Sequence, residues 1–378
     1  MSIVLVVKET RPGENRVAAT PETVRRFAQA GLTVWVEEGA GERAFFRDAS
    51  YSEAGAKLVS PGKHWGEAAL ILKVGPLQDE ERQLPREETM LLGLLAPHAH
   101  PQTATVLADK NITALALELL PRITRAQKMD ALSSQASIAG YKSVLLAADT
   151  LGKYFPLMMT AAGTVQPARV VIMGAGVAGL QAIATARRLG ARVEVTDVRP
   201  EVKEQVESLG AKFIDLPTVE SGAGEGGYAR ELSAETLRKQ REILAQKVAE
   251  ADVVITTANV PGRPAPRLVT AEMVEAMKPG AVVVDLAAES GGNCELSRPD
   301  QLVEKNGVRI LAPTNLPSRL PQDASQLYAR NLLEVSLLLV REGKLHRDFS
   351  DEILSAMRWT DGGKVLVGQP PLAKGATA

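Results

Sequence analysis

Short apolar runs alternate with longer amphipathic stretches along most of the chain, which is the pattern of a parallel α/β architecture. The runs that predict strands in the N-terminal region are residues 3–7, 33–37, 70–73, 90–94 and 114–118. Those in the following region are 170–173, 192–196, 213–215, 253–256, 282–286 and 308–311. Two stretches without such runs, 126–151 and 325–342, predict long helices.

A glycine-rich turn follows the first strand of the second set. Gly174 permits a tight turn, Gly176 lets the backbone approach a pyrophosphate, and Gly179 lets the next helix pack closely on the strand. That helix begins at Val177 and Ala178, where free N–H groups and the positive end of the helix dipole attract an anion. With a strand before it and a helix after it, this turn predicts a dinucleotide-binding βαβ unit.

A carboxylate follows the second strand of the same unit. Asp197 lies where its side chain can accept hydrogen bonds from both ribose hydroxyls of an adenosine. A 2′-phosphate at that place would meet like charge, so the residue favours NAD(H) over NADP(H). The unit predicts that a dinucleotide binds, and leaves open what it is used for.

The predicted fold class is α/β, with two Rossmann-like parallel-sheet domains joined by two long crossover helices and a cleft between them. Residues 1–125 together with 328–378 are expected to form a discontinuous first α/β domain. Residues 126–327 are expected to form the NAD(H)-binding Rossmann domain. Dinucleotide enzymes commonly carry out their chemistry in such a cleft.

A polar segment precedes the first long helix, and it holds Arg122, Arg125, Gln127, Asp130, Ser133 and Ser134. On a helix, Gln127, Asp130 and Ser134 fall on one face, and Ser133 lies to one side as a second candidate hydroxyl. An amide and a hydroxyl can fix the carboxamide of nicotinamide, and an Arg–Asp pair can form a buried wall. An exposed polar helix face explains the same pattern, and both interpretations stay open.

A loop at residues 220–230 is rich in glycine and contains Gly227 and Tyr228. A flexible, solvent-exposed linker is one interpretation of this composition. A mobile lid with Tyr228 as its anchoring side chain is the other.

Composition excludes several classes of function. A formal net charge of −1 over 378 residues gives no basic field for nucleic acid. The single cysteine cannot form an internal disulfide, and the four histidines show no metal-ligand spacing, so no metal is expected. No signal peptide is recognisable, and no apolar run reaches the about 18 residues that a membrane span needs. A cytoplasmic chain is therefore expected.

Four segments resemble the NAD(H)-binding component of proton-translocating nicotinamide nucleotide transhydrogenase. They are residues 122–135, 159–164, 174–185 and 285–293, and together with the rest of the pattern the resemblance covers nearly the whole chain. The opening segment 8–18 is similar to the related alanine dehydrogenases as well.

The alanine dehydrogenase alternative can be tested on individual residues, because reducing an imine requires a proton donor and a cation for the substrate carboxylate. That family has a histidine after its fourth strand and a second lysine in a Lys-Val-Lys-Glu-Pro motif. Here the lysine motif reads Lys73-Val74-Gly75-Pro76, and Ala96 stands at the histidine position. Arg16 remains, but it could equally be structural. A transhydrogenase is favoured, with a non-catalytic NAD-sensing protein as a third class.

The resemblance also implies site residues. On the nicotinamide side it implies Arg122, Gln127, Asp130 and Ser133, in preference to Ser134. For the pyrophosphate and adenosine it implies Gly174, Gly176, Val177, Ala178, Gly179, Asp197, Val198 and Arg199. Gly227 and Tyr228 would belong to a loop that closes over NAD(H).

The implied activity is direct hydride transfer from NADH to NADP+, with the Si-specific/Re-specific stereochemistry of the family. No general acid is needed, because no oxygen or nitrogen gains a proton. The implied partners are an NADP(H)-binding subunit or domain, a membrane proton-channel subunit and a second copy of the chain in a homodimer. The chain would be peripheral on the cytoplasmic face of the inner membrane, and alone it would bind NADH without appreciable transhydrogenation.

Overall fold

The computed structural model describes residues 2–217, 234–259 and 264–367. The chain divides into two compact units. Unit 1 comprises the chain up to Gln135 together with the stretch from Pro317 onward, and unit 2 comprises Ala136–Leu316. Each unit is built on a sheet with helices, so the predicted α/β class is confirmed.

The strands and helices follow one another in the alternating order that the sequence predicts. The strands are β1 (Ile3–Val6), β2 (Thr33–Glu37), β3 (Lys57–Val59), β4 (Leu70–Leu72), β5 (Met90–Gly93), β6 (Thr113–Ala116), β7 (Met158–Thr160), β8 (Gly163–Val165), β9 (Arg169–Met173), β10 (Arg192–Thr196), β11 (Lys212–Phe213), β12 (Val253–Thr256), β13 (Val282–Asp285), β14 (Leu302–Lys305), β15 (Val308–Leu311), β16 (Val340–Arg341), β17 (Lys344–Leu345), β18 (Arg358–Asp361) and β19 (Lys364–Val365). The α-helices are α1 (Pro21–Gln29), α2 (Asp48–Glu53), α3 (Pro101–Asp109), α4 (Ala131–Thr150), α5 (Val177–Arg188), α6 (Lys203–Ser208), α7 (Ala234–Glu250), α8 (Ala271–Glu275), α9 (Pro321–Leu338) and α10 (Glu352–Met357).

Unit 1 contains a sheet in the order β19-β18-β6-β5-β4-β1-β2-β3. Strands β1 to β6 pair in parallel, and the two C-terminal strands extend the sheet antiparallel beyond β6. Alternate residues of a strand face opposite sides, so Val4 and Val6 join one core cluster while Leu5 and Val7 join another. Both faces of this sheet are therefore buried, as parallel sheets require.

Unit 2 contains a sheet in the order β11-β10-β9-β12-β13-β15-β14, with only β14 antiparallel. Val170 and Ile172 of β9 face one core cluster, and Val171 and Met173 face the other. The chain runs outward from β9 to β10 and β11 and then returns to β12 on the other side of β9. This reversal leaves a crevice at the carboxyl ends of β9 and β12, where doubly wound sheets bind ligands.

The long helix predicted over residues 126–151 is wrong at its start. Residues Thr124–Met129 form a 3-10 helix, Asp130 has non-helical angles (φ −73°, ψ 85°), and α4 begins only at Ala131. The carboxylate of Asp130 accepts a hydrogen bond from the backbone N–H of Ser133 at 2.9 Å, which is an N-cap contact. Asp130 thus starts a helix instead of continuing one.

The second long helix is also displaced from its predicted range of 325–342. α9 begins four residues earlier, at Pro321, because proline suits the first helical position. It ends at Leu338, and the following residues form the short hairpin of β16 and β17. The unit boundaries fall inside α4 and between Leu316 and Pro317. Over the described residues, no helix is both long and apolar enough to cross a membrane.

Candidate functional site

The glycine turn lies at the carboxyl end of β9, and its three glycines answer different spatial needs. Gly174 has φ 106°, and a Cβ there would lie 2.5 Å from Thr257 Oγ1. A Cβ on Gly179 would lie only 1.9 Å from the carbonyl oxygen of Gly174. A Cβ on Gly176 would meet no described atom within 4 Å. Gly174 and Gly179 therefore serve packing, while Gly176 keeps open a space next to the backbone.

Helix α5 begins beside that space. Gly176 is its N-cap with φ −74°, and no side chain in the described ranges makes a capping hydrogen bond to it. Val177 is exposed and Ala178 is also accessible, so the first turn is open to a ligand. A helix start of this kind attracts anions such as a pyrophosphate. The helix ends at Arg188, with Leu189 as its C-cap, and Gly190 follows at φ 85°, a position where glycine commonly ends a helix.

Asp197 follows β10 and is hydrogen bonded directly to the glycine turn. Its Oδ2 accepts from the backbone N–H of Ala175 at 2.7 Å. Arg199 donates to the same carboxylate through its backbone N–H (2.9 Å), Nε (3.0 Å) and Nη2 (3.0 Å). Burial alone would raise the pKa of Asp197, but the hydrogen bonds from Arg199 and Ala175 outweigh it and lower the pKa below 3.8. Val198, between the two, is 93% exposed.

The structure thus brings together all the described residues that the sequence predicts for the pyrophosphate and adenosine. These residues are Gly174, Gly176, Val177, Ala178, Gly179, Asp197, Val198 and Arg199. The open space at Gly176, the accessible helix start and the ionised carboxylate fit a dinucleotide without a 2′-phosphate. Gly227 and Tyr228, predicted for a closing loop, lie outside the described residues.

The polar segment at residues 122–134 belongs to unit 1, and the predicted column of Gln127, Asp130 and Ser134 does not exist. Because the chain changes direction at Asp130, these three residues do not share one helix face. Ser133 Oγ donates to Asp130 Oδ2 at 2.6 Å, whereas Ser134 Oγ donates to Asn331 Oδ1 at 2.7 Å. The structure therefore separates the two serines: Ser133 pairs with Asp130, and Ser134 fastens α4 to α9.

Among the described residues, neither Arg122 nor Arg125 pairs with Asp130, so the Arg–Asp pair that this segment could form is not present. Arg125 makes a bidentate salt bridge with Asp351 instead, at 2.7 and 3.0 Å. Arg122 and Gln127 are exposed, while the neighbouring Ala126 and Met129 are buried in the core of unit 1. Of the two interpretations, the buried wall is therefore wrong, since Arg122 is exposed and the carboxylate of Asp130 accepts its hydrogen bond from Ser133.

Unit 1 has the strand order of unit 2 around β1 and β4, yet its equivalent crevice holds a buried ionic cluster. Lys73, directly after β4, donates to Glu9 at 2.9 Å and contacts Glu81 at 3.0 Å. Glu9, three residues after β1, also accepts from the backbone N–H of Val74 at 2.6 Å. Burial would lower the pKa of Lys73, but the two carboxylates raise it above 10.5. The sequence analysis does not predict this cluster, because Glu9 lies far from Lys73 and Glu81 in the chain.

Arg16 is likewise paired inside unit 1. Its Nε and Nη2 donate to the two carboxylate oxygens of Glu14 at 2.8 and 2.7 Å, and its Nη1 donates to Gln135 at 2.9 Å. The Arg16 side chain is 7% exposed and that of Glu14 is 0% exposed. Lys73 and Arg16 are the two cations that remain in the segments compared with alanine dehydrogenases. Both contact carboxylates of the chain itself.

Comparison with known proteins agrees with this geometry. Residues 5–139 match the description "Alanine dehydrogenase/PNT, N-terminal domain", and residues 143–368 match "Alanine dehydrogenase/PNT, C-terminal domain". The chain belongs to the alanine dehydrogenase/PNT family. In the described residues, no group of three or more His, Cys, Asp or Glu side chains could hold a metal ion.

Within this family the chain is more similar to transhydrogenases than to alanine dehydrogenases. It is 48% identical to an NAD(P) transhydrogenase subunit alpha polypeptide of Rhodospirillum rubrum over 338 residues, which covers 87% of this chain and 88% of that protein. The crystal structure of transhydrogenase from Sinorhizobium meliloti superposes with a TM-score of 0.88 at 45% identity, covering 97% of this chain and 100% of the other. Alanine dehydrogenase of Bacillus subtilis (strain 168) is 30% identical over 371 residues, covering 96% of this chain and 92% of that protein.

Proposed function

We propose that this chain is the NAD(H)-binding subunit of a proton-translocating transhydrogenase, an oxidoreductase that passes hydride directly between NADH and NADP+ bound on a partner. The higher identity to transhydrogenase alpha subunits supports the assignment. The observation that favours it over an amino-acid dehydrogenase is the internal pairing of Arg16 with Glu14 and of Lys73 with Glu9. A substrate carboxylate would have to compete with the carboxylates of Glu14 and Glu9 for these two cations.

The cofactor site in this proposal is the crevice of unit 2. Gly176 and the first turn of α5 would hold the pyrophosphate. Asp197 would accept hydrogen bonds from the adenosine ribose in place of those that the Arg199 side chain now donates. Bound NADH supplies the hydride. The residues of the chain have to bind the dinucleotide, orient its nicotinamide ring and exclude water. Hydride transfer between two nicotinamides needs near-attack geometry and no proton donor.

The nicotinamide side is assigned by resemblance to Arg122, Gln127, Asp130 and Ser133. The hydrogen bond from Ser133 to Asp130 fixes both side chains at the start of α4, which suits groups that must keep a fixed geometry. Exposure of Gln127 leaves its amide available to a ligand. Gly227 and Tyr228 are assigned to a loop that closes over NAD(H).

The proposal includes the partners and the place of the chain. An NADP(H)-binding subunit or domain would accept the hydride with Si-specific/Re-specific stereochemistry, and a membrane subunit would couple the transfer to proton movement. The chain would act as a homodimer, peripheral on the cytoplasmic face of the inner membrane. The relatives are named as alpha subunits of a transhydrogenase, which supports a multi-subunit assembly.

Reconstitution tests the function. The full chain is mixed with an NADP(H)-binding transhydrogenase subunit, and reduction of an NADP+ analogue by NADH is followed by absorbance. We expect a rate well above that of either protein alone. No rate above the partner alone would refute the proposal and favour an NAD-sensing protein. Oxidation of alanine with NAD+ by the chain alone would instead revive the amino-acid dehydrogenase.

A further inference from the structure

The segment from Asp285 to Asn293 forms a hydrogen-bonded scaffold at the carboxyl edge of the unit 2 sheet. Asp285 ends β13 and is fully buried. Its carboxylate accepts hydrogen bonds from Thr256 Oγ1 at the end of β12 (3.0 Å), from the backbone N–H of Cys294 (2.9 Å) and from Ser297 Oγ (2.7 Å). These bonds tie the returning chain to the ends of two neighbouring strands.

Asn293 directly precedes Cys294, whose backbone N–H is bonded to Asp285, and its side chain is fully buried. Its Oδ1 accepts from the backbone N–H of Ala258 at 3.1 Å. Its Nδ2 donates to the carbonyl oxygens of Ala258 and Pro266, both at 2.8 Å. One amide side chain thus satisfies both backbone groups of Ala258, as a neighbouring strand would have done.

Ala258 follows β12 and lies beside the crevice. The residue before it, Thr257, donates its backbone N–H to Met173 O at 2.9 Å and its Oγ1 to Gly174 O at 3.1 Å. The chain leaving β12 is therefore bonded to the first glycine of the turn on one side and to Asn293 on the other. These contacts fix the β12 wall of the crevice.

The two walls of the crevice would serve different halves of a dinucleotide. Asp197 follows β10, which lies on the side of β9 away from β12. With the adenosine at Asp197 and the pyrophosphate at Gly176, the other half of the molecule extends toward β12. We propose that Asn293 is a positioning residue for the nicotinamide half of NAD(H), acting through the backbone of Ala258. This inference rests on the proposed NAD(H) site.

Replacement of Asn293 with alanine in the full chain tests the inference with two ligands. NADH and ADP-ribose, which lacks nicotinamide, are titrated by calorimetry, and hydride transfer to the partner is measured at saturating NADH. For Asn293→Ala we expect the Kd of NADH to rise about fivefold and that of ADP-ribose to stay within about twofold. The transfer rate should fall at least about tenfold, because loss of orientation affects the transition state more than binding.

Asp252→Asn is the matched control, since Asp252 lies just before β12 at the opposite edge of the sheet and bonds to Lys153 and Arg169. It should lower thermal stability without changing the ratio of the two Kd values. Equal weakening of NADH and ADP-ribose by Asn293→Ala, or no change in either Kd and in the rate, would overturn the inference.

A second variant covers the case in which Asn293→Ala does not fold. Thr257→Val removes the hydroxyl contacts to Gly174 O (3.1 Å) and Met173 O (3.4 Å). The same selective loss of NADH affinity is expected, while equal loss for both ligands would count against the inference. The Kd ratio needs no partner subunit. If the unaltered chain showed no hydride transfer, the proposed function would fail, but the binding comparison would still decide whether Asn293 positions the nicotinamide half.

Discussion

Alanine substitutions at Gly176 and Gly179 should separate ligand binding from folding within a single turn. A Cβ at Gly179 would lie 1.9 Å from Gly174 O, whereas ordinary contacts begin at 3.4 Å. A Cβ at Gly176 would enter open space, and its φ of −74° is accessible to alanine. We therefore expect Gly179→Ala to destabilise unit 2, and Gly176→Ala to leave it folded while obstructing the pyrophosphate.

The magnitudes follow from these contacts. Overpacking against a backbone oxygen costs about 3 kcal/mol, and the higher helix propensity of alanine returns about 1 kcal/mol. A net loss of roughly 2 kcal/mol lowers the Tm of a domain of this size by about 4–8 °C. At Gly176, alanine is a weaker N-cap than glycine, which destabilises the folded state, but it also lowers the entropy of the unfolded chain, which stabilises the folded state. Because these effects oppose each other, the Tm should change by less than about 2 °C. The Kd of NADH should rise at least about tenfold for this variant.

Circular dichroism melts and calorimetric NADH titrations of the full chain measure the two effects. Gly152→Ala is the matched control, because a Cβ there also meets nothing within 4 Å and Gly152 lies outside the glycine turn. It should leave both Tm and Kd unchanged. The reasoning is refuted if Gly176→Ala binds NADH as tightly as the unaltered chain, or if it lowers the Tm as much as Gly179→Ala.

Three further substitutions test other aspects of the proposal. Asp197→Ala should weaken NADH binding about tenfold or more by removing charge-assisted hydrogen bonds. It should also reduce the ratio of the NADPH Kd to the NADH Kd, because Arg199 loses its carboxylate partner. Titrations with both nucleotides measure this ratio, and an unchanged ratio would exclude Asp197 from the site. Gln127→Asn should slow hydride transfer more than it weakens NADH binding, and equal losses would assign Gln127 to binding only. Lys73→Met leaves Glu9 and Glu81 buried without their cation, so chemical denaturation should show a loss of about 3–5 kcal/mol. Unchanged stability would mean that the ionic cluster does not hold unit 1 together.

The dinucleotide unit was predictable from sequence because its signals are local. Gly174 and Gly190 both adopt positive φ, which the sequence requires at a tight turn and after a helix. Asp197 stands directly after β10, as a carboxylate for the ribose should. Its hydrogen bond to the N–H of Ala175 was not predictable, because that contact depends on how two neighbouring strands align.

The start of α4 was mispredicted because two rules conflicted at Asp130. The spacing of Gln127, Asp130 and Ser134 satisfied a helical period, but an aspartate before a helix satisfies its N-terminal N–H groups better than it continues a helix. The partner of Arg125 could not be inferred at all. Asp351 is separated from it by 226 positions, and no local pattern connects the two.

The sequence of the C-terminal hairpin of β18 and β19 contains a turn motif that indicates a hairpin, although the alternation of strands and helices does not predict one there. Asp361 pairs with Lys364 across Gly362 and Gly363, which have φ of 54° and 74°. Two consecutive glycines with positive φ are typical of a type I′ turn between antiparallel strands. The hairpin was missed because a parallel α/β pattern does not predict antiparallel strands at its edge.

The ionic cluster after β1 and β4 has a consequence for stoichiometry. Both units share the strand order that makes a crevice, yet in unit 1 the side chains of Glu9, Lys73 and Glu81 fill the corresponding place. Moving these charges aside would leave each of them without its partner. Although the architecture occurs twice, we therefore expect the chain to take up a single equivalent of nucleotide, and the second copy of the fold to serve as framework only.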